Sequence, residues 1–117
     1  MKDIQQLEDI QLVVNSFYSK VREDKLLAPI FNEKIGDKWP LHLEKMYRFW
    51  QTVLLERRTY SGSPFPPHAR LPVSKEHFDR WLFLFYEAID EHFQGEKATE
   101  AKWRAEKMAE LFLHKIE

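Results

Sequence analysis

At 117 residues the chain has room for one domain built on one core, spanning residues 1–117. Its 18 basic and 19 acidic residues leave a net charge of −1, and they are scattered, so nothing here neutralises a phosphate backbone and nucleic acid is not an expected partner. The absence of cysteine removes disulfides and thiolate metal chemistry; no apolar run spans a membrane, and the opening Met-Lys-Asp-Ile-Gln-Gln is no secretory signal, so a cytoplasmic location without membrane partners is expected.

Aromatic residues make up 15% of the chain: nine Phe, four Trp and four Tyr. That exceeds what a small helical bundle needs for packing, because each large ring adds awkward shape to its buried area. Something flat and apolar inside the core would use the excess.

Apolar residues recur at helical spacing almost throughout. From about Ile4 to Leu27 the stripe is Leu7, Ile10, Val14, Phe17, Tyr18 and Val21, with a break expected near Asn15-Ser16. Ala28-Pro29-Ile30-Phe31 interrupts, since proline cannot continue a helix interior, and Gly36-Asp37 marks the next turn. A second helix is predicted from Pro40 to Glu56, with proline in its first turn. Its stripe carries Trp39, His42, Leu43, Met46, Phe49, Trp50 and Val53, and a histidine on an apolar stripe is the first anomaly.

Residues 59–74 hold Gly62, Pro64, Pro66, Pro67 and Pro72, a density of breakers that no long helix survives. A third helix starts with Ser74 as N-cap, turns Phe78, Trp81, Leu82, Phe85 and Ile89 inward, and ends near Gly95. A fourth runs from about Thr99 to Ile116, with Ala101, Ala105, Met108, Ala109 and Phe112 inward. The fold class is all-α: four main helices and a long proline-rich connection.

A proline-bounded loop of this length inside a small domain is usually functional or disordered. Phe65, Leu71 and Val73 argue that this one packs on the core, and His68 sits in its middle after Pro66-Pro67. Restricted backbone fixes where that imidazole points, which suits a metal ligand. Zinc would need several close ligands, and no His-Glu-x-x-His or paired-Cys motif is present. A di-iron bundle needs Glu-x-x-His pairs, and there are none. Haem needs one strong axial ligand and a large apolar slot, because the porphyrin supplies the iron's other four bonds.

The ordered motifs are Phe17-Tyr18-x-x-Val21-Arg22-x-Asp24, Leu27-x-Pro29-Ile30-Phe31, Trp39-x-x-His42 and Phe49-Trp50. They continue with Tyr60-x-Gly62-x-Pro64, His68-x-x-Leu71-Pro72 and Phe78-x-x-Trp81-Leu82. In this order and spacing the chain resembles the group III truncated haemoglobins over most of its length. The glycine-pair turns typical of groups I and II are missing. The resemblance implies a truncated globin fold, a two-over-two helical sandwich around haem b, with His68 in the proline-rich loop as proximal iron ligand. It implies Tyr18, His42 and Trp81 on the distal face, and Phe31 packed on the porphyrin. Met46, Phe49, Leu71 and Phe78 become walls of the haem slot, and Lys45, one turn after His42, stands near a haem propionate.

The chemistry of that set follows from its donors. Oxygen held at a haem takes on partial negative charge, so donors aimed at it slow its escape. The Tyr18 hydroxyl and the Trp81 indole N–H are donors with apolar bodies that tolerate burial, and His42 can donate, carry a proton or swing as a gate. The expected function is binding of oxygen, nitric oxide or a related diatomic at a five-coordinate iron. Nitric oxide oxidation or peroxidase-like turnover of peroxide, with a reductase as electron donor, would use the same residues. The contrasting reading is a cofactor-free interaction module whose aromatics are only core. Read singly, His68 is an ordinary loop histidine, His42 a satisfied core histidine, and Tyr18 and Trp81 are core rings. His77, His92 and His114 read as surface residues, and Lys75-Glu76 as a solvated face.

Overall fold

The computed structural model describes residues 1–55 and 73–116. Five helices are present among them: α1 (Leu7–Glu23), α2 (Ala28–Ile35), α3 (Trp39–Leu55), α4 (Lys75–His92) and α5 (Glu96–Ile116). Helices α1 and α3 pack on each other, as do α4 and α5; α1 lies against α4, and α3 touches α5. Two helix pairs stacked in this way form a two-over-two sandwich. No described helix is long and apolar enough to cross a membrane.

The boundaries have local causes. The Asp9 carboxylate accepts the backbone N–H groups of Gln5 and Gln6 at 2.9 and 3.2 Å, so α1 starts at Leu7, later than the apolar stripe suggests. It runs unbroken through Asn15-Ser16, correcting the expected break; Asn15 is exposed and accepts a hydrogen bond from the Tyr47 hydroxyl. At the other end Asp24 takes over. Its Oδ2 accepts from the N–H groups of Leu26 and Leu27 at 3.1 and 3.0 Å, and its Oδ1 meets the Arg80 guanidinium of α4 at 3.0 Å. One side chain ends α1, starts the next turn and ties both to the opposite layer.

The stretch Ala28-Pro29-Ile30-Phe31, expected to interrupt, instead opens α2 with Pro29 in its first turn. The reason is positional: first-turn N–H groups have no partner within the helix, so the missing donor costs nothing there. Helix α3 begins one residue before the predicted Pro40, its predicted end at Glu56 lying outside the described residues, and α4 begins after Ser74 as predicted. Helix α5 begins three residues before the predicted Thr99, because the carboxylate of Asp3 accepts the N–H groups of Lys97 and Ala98 at 2.8 and 2.9 Å. The cap for the last helix is supplied from the other end of the chain.

The core is one continuous cluster. Val13, Val14, Phe17 and Val21 of α1 meet Leu84, Phe85, Ala88 and Ile89 of α4 and Ala98, Ala101 and Ala105 of α5. The alanines, at i, i+3 and i+7, present a small-residue face of α5 to the core, and Trp50 stacks on Phe85 with centroids 5.1 Å apart. Residues 56–72, which include the proline-rich stretch, lie outside the described residues.

Candidate functional site

Helices α2, α4 and α5 enclose an apolar cleft. Its described lining is Leu27, Phe31, Val73, His77, Phe78, Trp81, Ala109 and Phe112. Seven of these eight are apolar, and His77 is the one polar member. Trp81 forms the deep wall: it stacks on Phe85 at 5.8 Å with the ring planes nearly parallel, and meets Phe17 edge-on at 5.5 Å. Its indole N–H has no hydrogen-bond partner among the described residues.

Beyond Phe31 lies a polar pair. The Tyr18 hydroxyl and His42 Nε2 are hydrogen-bonded at 3.1 Å, with the two rings edge-on at 5.1 Å. Phe31, 6.3 Å from Tyr18, is the ring shared by this pair and the cleft. Tyr18 is only 7% exposed, and burial pushes its hydroxyl well above the ordinary phenol range, so it stays protonated. Trp39 closes the other side, 5.6 Å from Tyr18 and 5.9 Å from His42. It is itself fixed by an indole hydrogen bond to Asn32 at 3.2 Å and by the Arg22 guanidinium over its ring at 4.8 Å. On its outer side Tyr18 borders a solvent-open groove with Ser19, Arg22 and Leu43.

The predicted residues therefore fall into four groups. Phe31, Phe78 and Trp81 share the cleft, and Tyr18 and His42 meet beside it. On α3, Met46 is half-buried against the core, and Phe49 is buried edge-on to Trp50 at 5.3 Å. Lys45 is exposed on the same helix. His68 and Leu71 lie outside the described residues. Among those that are described, no three His, Cys, Asp or Glu side chains converge as a bare-metal site.

His77 corrects the sequence reading. Assigned to the surface, it is half-buried and lines the cleft. Its Nδ1 accepts the Ser74 backbone N–H at 3.0 Å, which places it at the third position of a capping box. The signal was present as Ser74-x-x-His77, but glutamate or glutamine is the usual residue there. Leu27 stands in a sequence motif and Ala109 and Phe112 on an inward stripe, but local pattern gives none of them a place at a site, because which core residues border a cleft depends on how α2 and α5 meet.

An all-helical two-over-two core, with an aromatic-walled cleft beside a buried tyrosine bonded to a half-buried histidine, is the architecture of a globin. The chain belongs to the bacterial-like globin family, whose model matches residues 3–115. Within it the chain stands with the group III truncated haemoglobins. It is 38% identical over 109 residues to a group 3 truncated hemoglobin of Campylobacter jejuni, covering 90% of this chain and 86% of that one. The crystal structure of a group III truncated hemoglobin from Campylobacter jejuni superposes with a TM-score of 0.91 at 35% identity, over 100% of this chain and 96% of that one.

Membership implies haem binding, and the residues fit it. A porphyrin needs a flat apolar slot with aromatic walls, which suits the cleft.

Proposed function

We propose that the protein holds haem b through His68 and binds oxygen and related diatomic ligands, with Tyr18, His42 and Trp81 setting how long the ligand stays. Haem supplies the iron at which a diatomic binds; the side chains supply the selectivity. The observation that carries this reading is the 3.1 Å hydrogen bond between Tyr18 and His42 at the edge of the aromatic cleft.

Tyr18 has one proton, and burial keeps it on the oxygen. If that proton went to His42, the hydroxyl could offer a ligand only lone pairs. In the other tautomer His42 Nε2–H donates to the Tyr18 oxygen, and the Tyr18 O–H is free to donate into the cleft. We assign the second arrangement, in which His42 positions Tyr18 as the donor. The Trp81 N–H supplies a second donor on an otherwise apolar wall. Phe31 packs against Tyr18 on the side of the cleft, and Trp39 packs against both members of the pair.

Absorption spectra in ferric, ferrous and oxygenated states test the reading, and a protein with no Soret band after haem addition would sink it. Tyr18→Phe should speed oxygen dissociation about tenfold or more, as expected for losing a hydrogen bond to a charged acceptor. An unchanged rate would show that the hydroxyl does not face the ligand.

A further inference from the structure

We infer that His77 is the hydrogen-bond donor to a haem propionate, and that its role as a helix cap is what aims it. The inference rests on the haem-binding reading above and concerns a residue to which that reading gives no part.

The argument starts at Nδ1. A backbone N–H can only donate, so the 3.0 Å bond from the Ser74 N–H fixes Nδ1 as an acceptor without a proton. The Ser74 hydroxyl lies 3.1 Å from the same nitrogen. The proton of the neutral ring is therefore on Nε2. That N–H has no partner among the described residues, since both hydrogen bonds of the ring are made through Nδ1.

Position supplies the second step. Ser74, Lys75 and Glu76 at the start of α4 are exposed, and on the helix's inward face His77, Phe78 and Trp81 are half-buried while Leu84 and Phe85, further along, are buried. His77 thus sits where the cleft meets solvent, and it is the only polar residue of the described lining. Haem b is apolar except at its iron and at two carboxylates on one edge, and those carboxylates belong at the solvent margin of an apolar cleft. A donor held there by its own backbone cap loses little freedom when it binds a carboxylate. A hydrogen bond to an ionised acceptor is also of the stronger kind.

The test separates the cap from the propionate. His77→Glu keeps an acceptor at the third position of a Ser-x-x-Glu capping box while setting a carboxylate against the propionate. His77→Gln keeps the cap without the repulsion. Wild type and both variants are loaded with haem b and, separately, with its dimethyl ester, and haem loss to excess apomyoglobin is timed. Urea unfolding of the haem-free proteins reports the cap alone.

The expected result is release of haem b from His77→Glu on the order of tenfold faster than from wild type, the scale of one charge-assisted hydrogen bond. His77→Gln falls between, release of the dimethyl ester is equal in all three proteins, and the urea midpoint of His77→Glu is not lowered. Equal release of haem b from all three overturns the inference and leaves the haem reading standing. Faster release of both haems in His77→Glu also overturns it, since the effect would then come through packing. Loss of the axial-histidine spectrum in His77→Gln would make His77 an iron ligand instead. A wild type that takes up no haem defeats both.

Discussion

Replacing Asp3 by Ala should loosen the last helix from the opposite end of the sequence. The Asp3 carboxylate accepts three backbone N–H groups: Lys97 and Ala98 at 2.8 and 2.9 Å, and its own neighbour Ile4 at 2.8 Å. Nothing local replaces it, because Gly95, next to the start of α5, has no side chain. Removal of a capping residue costs about 0.5–2 kcal/mol, and two first-turn donors lost together place Asp3→Ala in the upper half of that range. At about 4 °C per kcal/mol for a domain of this size, the melting temperature should drop by about 5–8 °C. Asp3→Asn keeps a neutral acceptor and should lose less. The pH dependence has a fixed sign. Burial would raise the Asp3 carboxyl, but the three N–H bonds and the Lys97 charge outweigh it and hold it below the usual range. A lowered folded value means stability that is present above the unfolded carboxylate range, about pH 4. It is lost as pH falls through the folded value. The assay is thermal unfolding of both variants at neutral pH and across the acid limb. A drop of less than about 1 °C in Asp3→Ala, or an acid limb as steep as in wild type, would refute the capping role.

Gly95→Ala should disturb the same junction, since Gly95 has φ +136° and an added Cβ would lie 2.6 Å from the Asp3 side chain. A loss of about 1–3 kcal/mol is expected, smaller in an Asp3→Ala background; strict additivity in the double-mutant cycle would show that the clash is not with Asp3. Asp24→Ala removes the acceptor of the Leu26 and Leu27 N–H groups and the Arg80 partner at once. A loss of about 1–3 kcal/mol in urea unfolding is expected, and Asp24→Asn should recover part of it. His68→Ala should greatly weaken haem retention or remove the axial-histidine signature in the ferrous spectrum, and retention of normal proximal ligation would refute the assignment.

Periodicity made most of the fold legible. The stripes of α1, α3 and α4 are buried much as their spacing implies, and Ser74 stands where α4 starts. What local pattern could not reach was decided by groups remote in sequence or by position within a turn. Pro29 reads as a breaker until it is known to be first-turn, and Thr99 looks like the natural start of α5 until Asp3 reaches across to Lys97 and Ala98. The site divides in the same way. Tyr18, His42, Phe31, Phe78 and Trp81 stand in ordered motifs at fixed spacing, and the fold brings them together at and beside the cleft. The place of His77 at the cleft is not legible in this way, because it depends on a ring nitrogen bonded to the backbone three residues earlier and on how three helices meet.

The aromatic excess acquires a structural reason at this point. Trp50, Phe85 and Trp81 form a stacked run from the core to the cleft, with centroid steps of 5.1 and 5.8 Å, and Phe17 meets both Phe85 and Trp81 edge-on. Rings locked in this way have few rotamers to lose and cannot collapse easily into an adjoining space, so the run stiffens the deep wall of the cleft. The rim is built differently. Tyr18 and His42 share one hydrogen bond, and His77 spends its Nδ1 on the Ser74 backbone, so each bond restricts how its ring can turn. With haem held there as proposed, a rigid apolar wall would accept the flat cofactor by shape, and polar groups oriented in advance would sort what happens at its centre and its margin. On this view Phe85→Leu, which breaks the run without touching the cleft lining, should lower haem affinity more than it lowers the urea midpoint of the haem-free chain would account for. If the two fall in proportion, the rings are only core and the wall has no separate role.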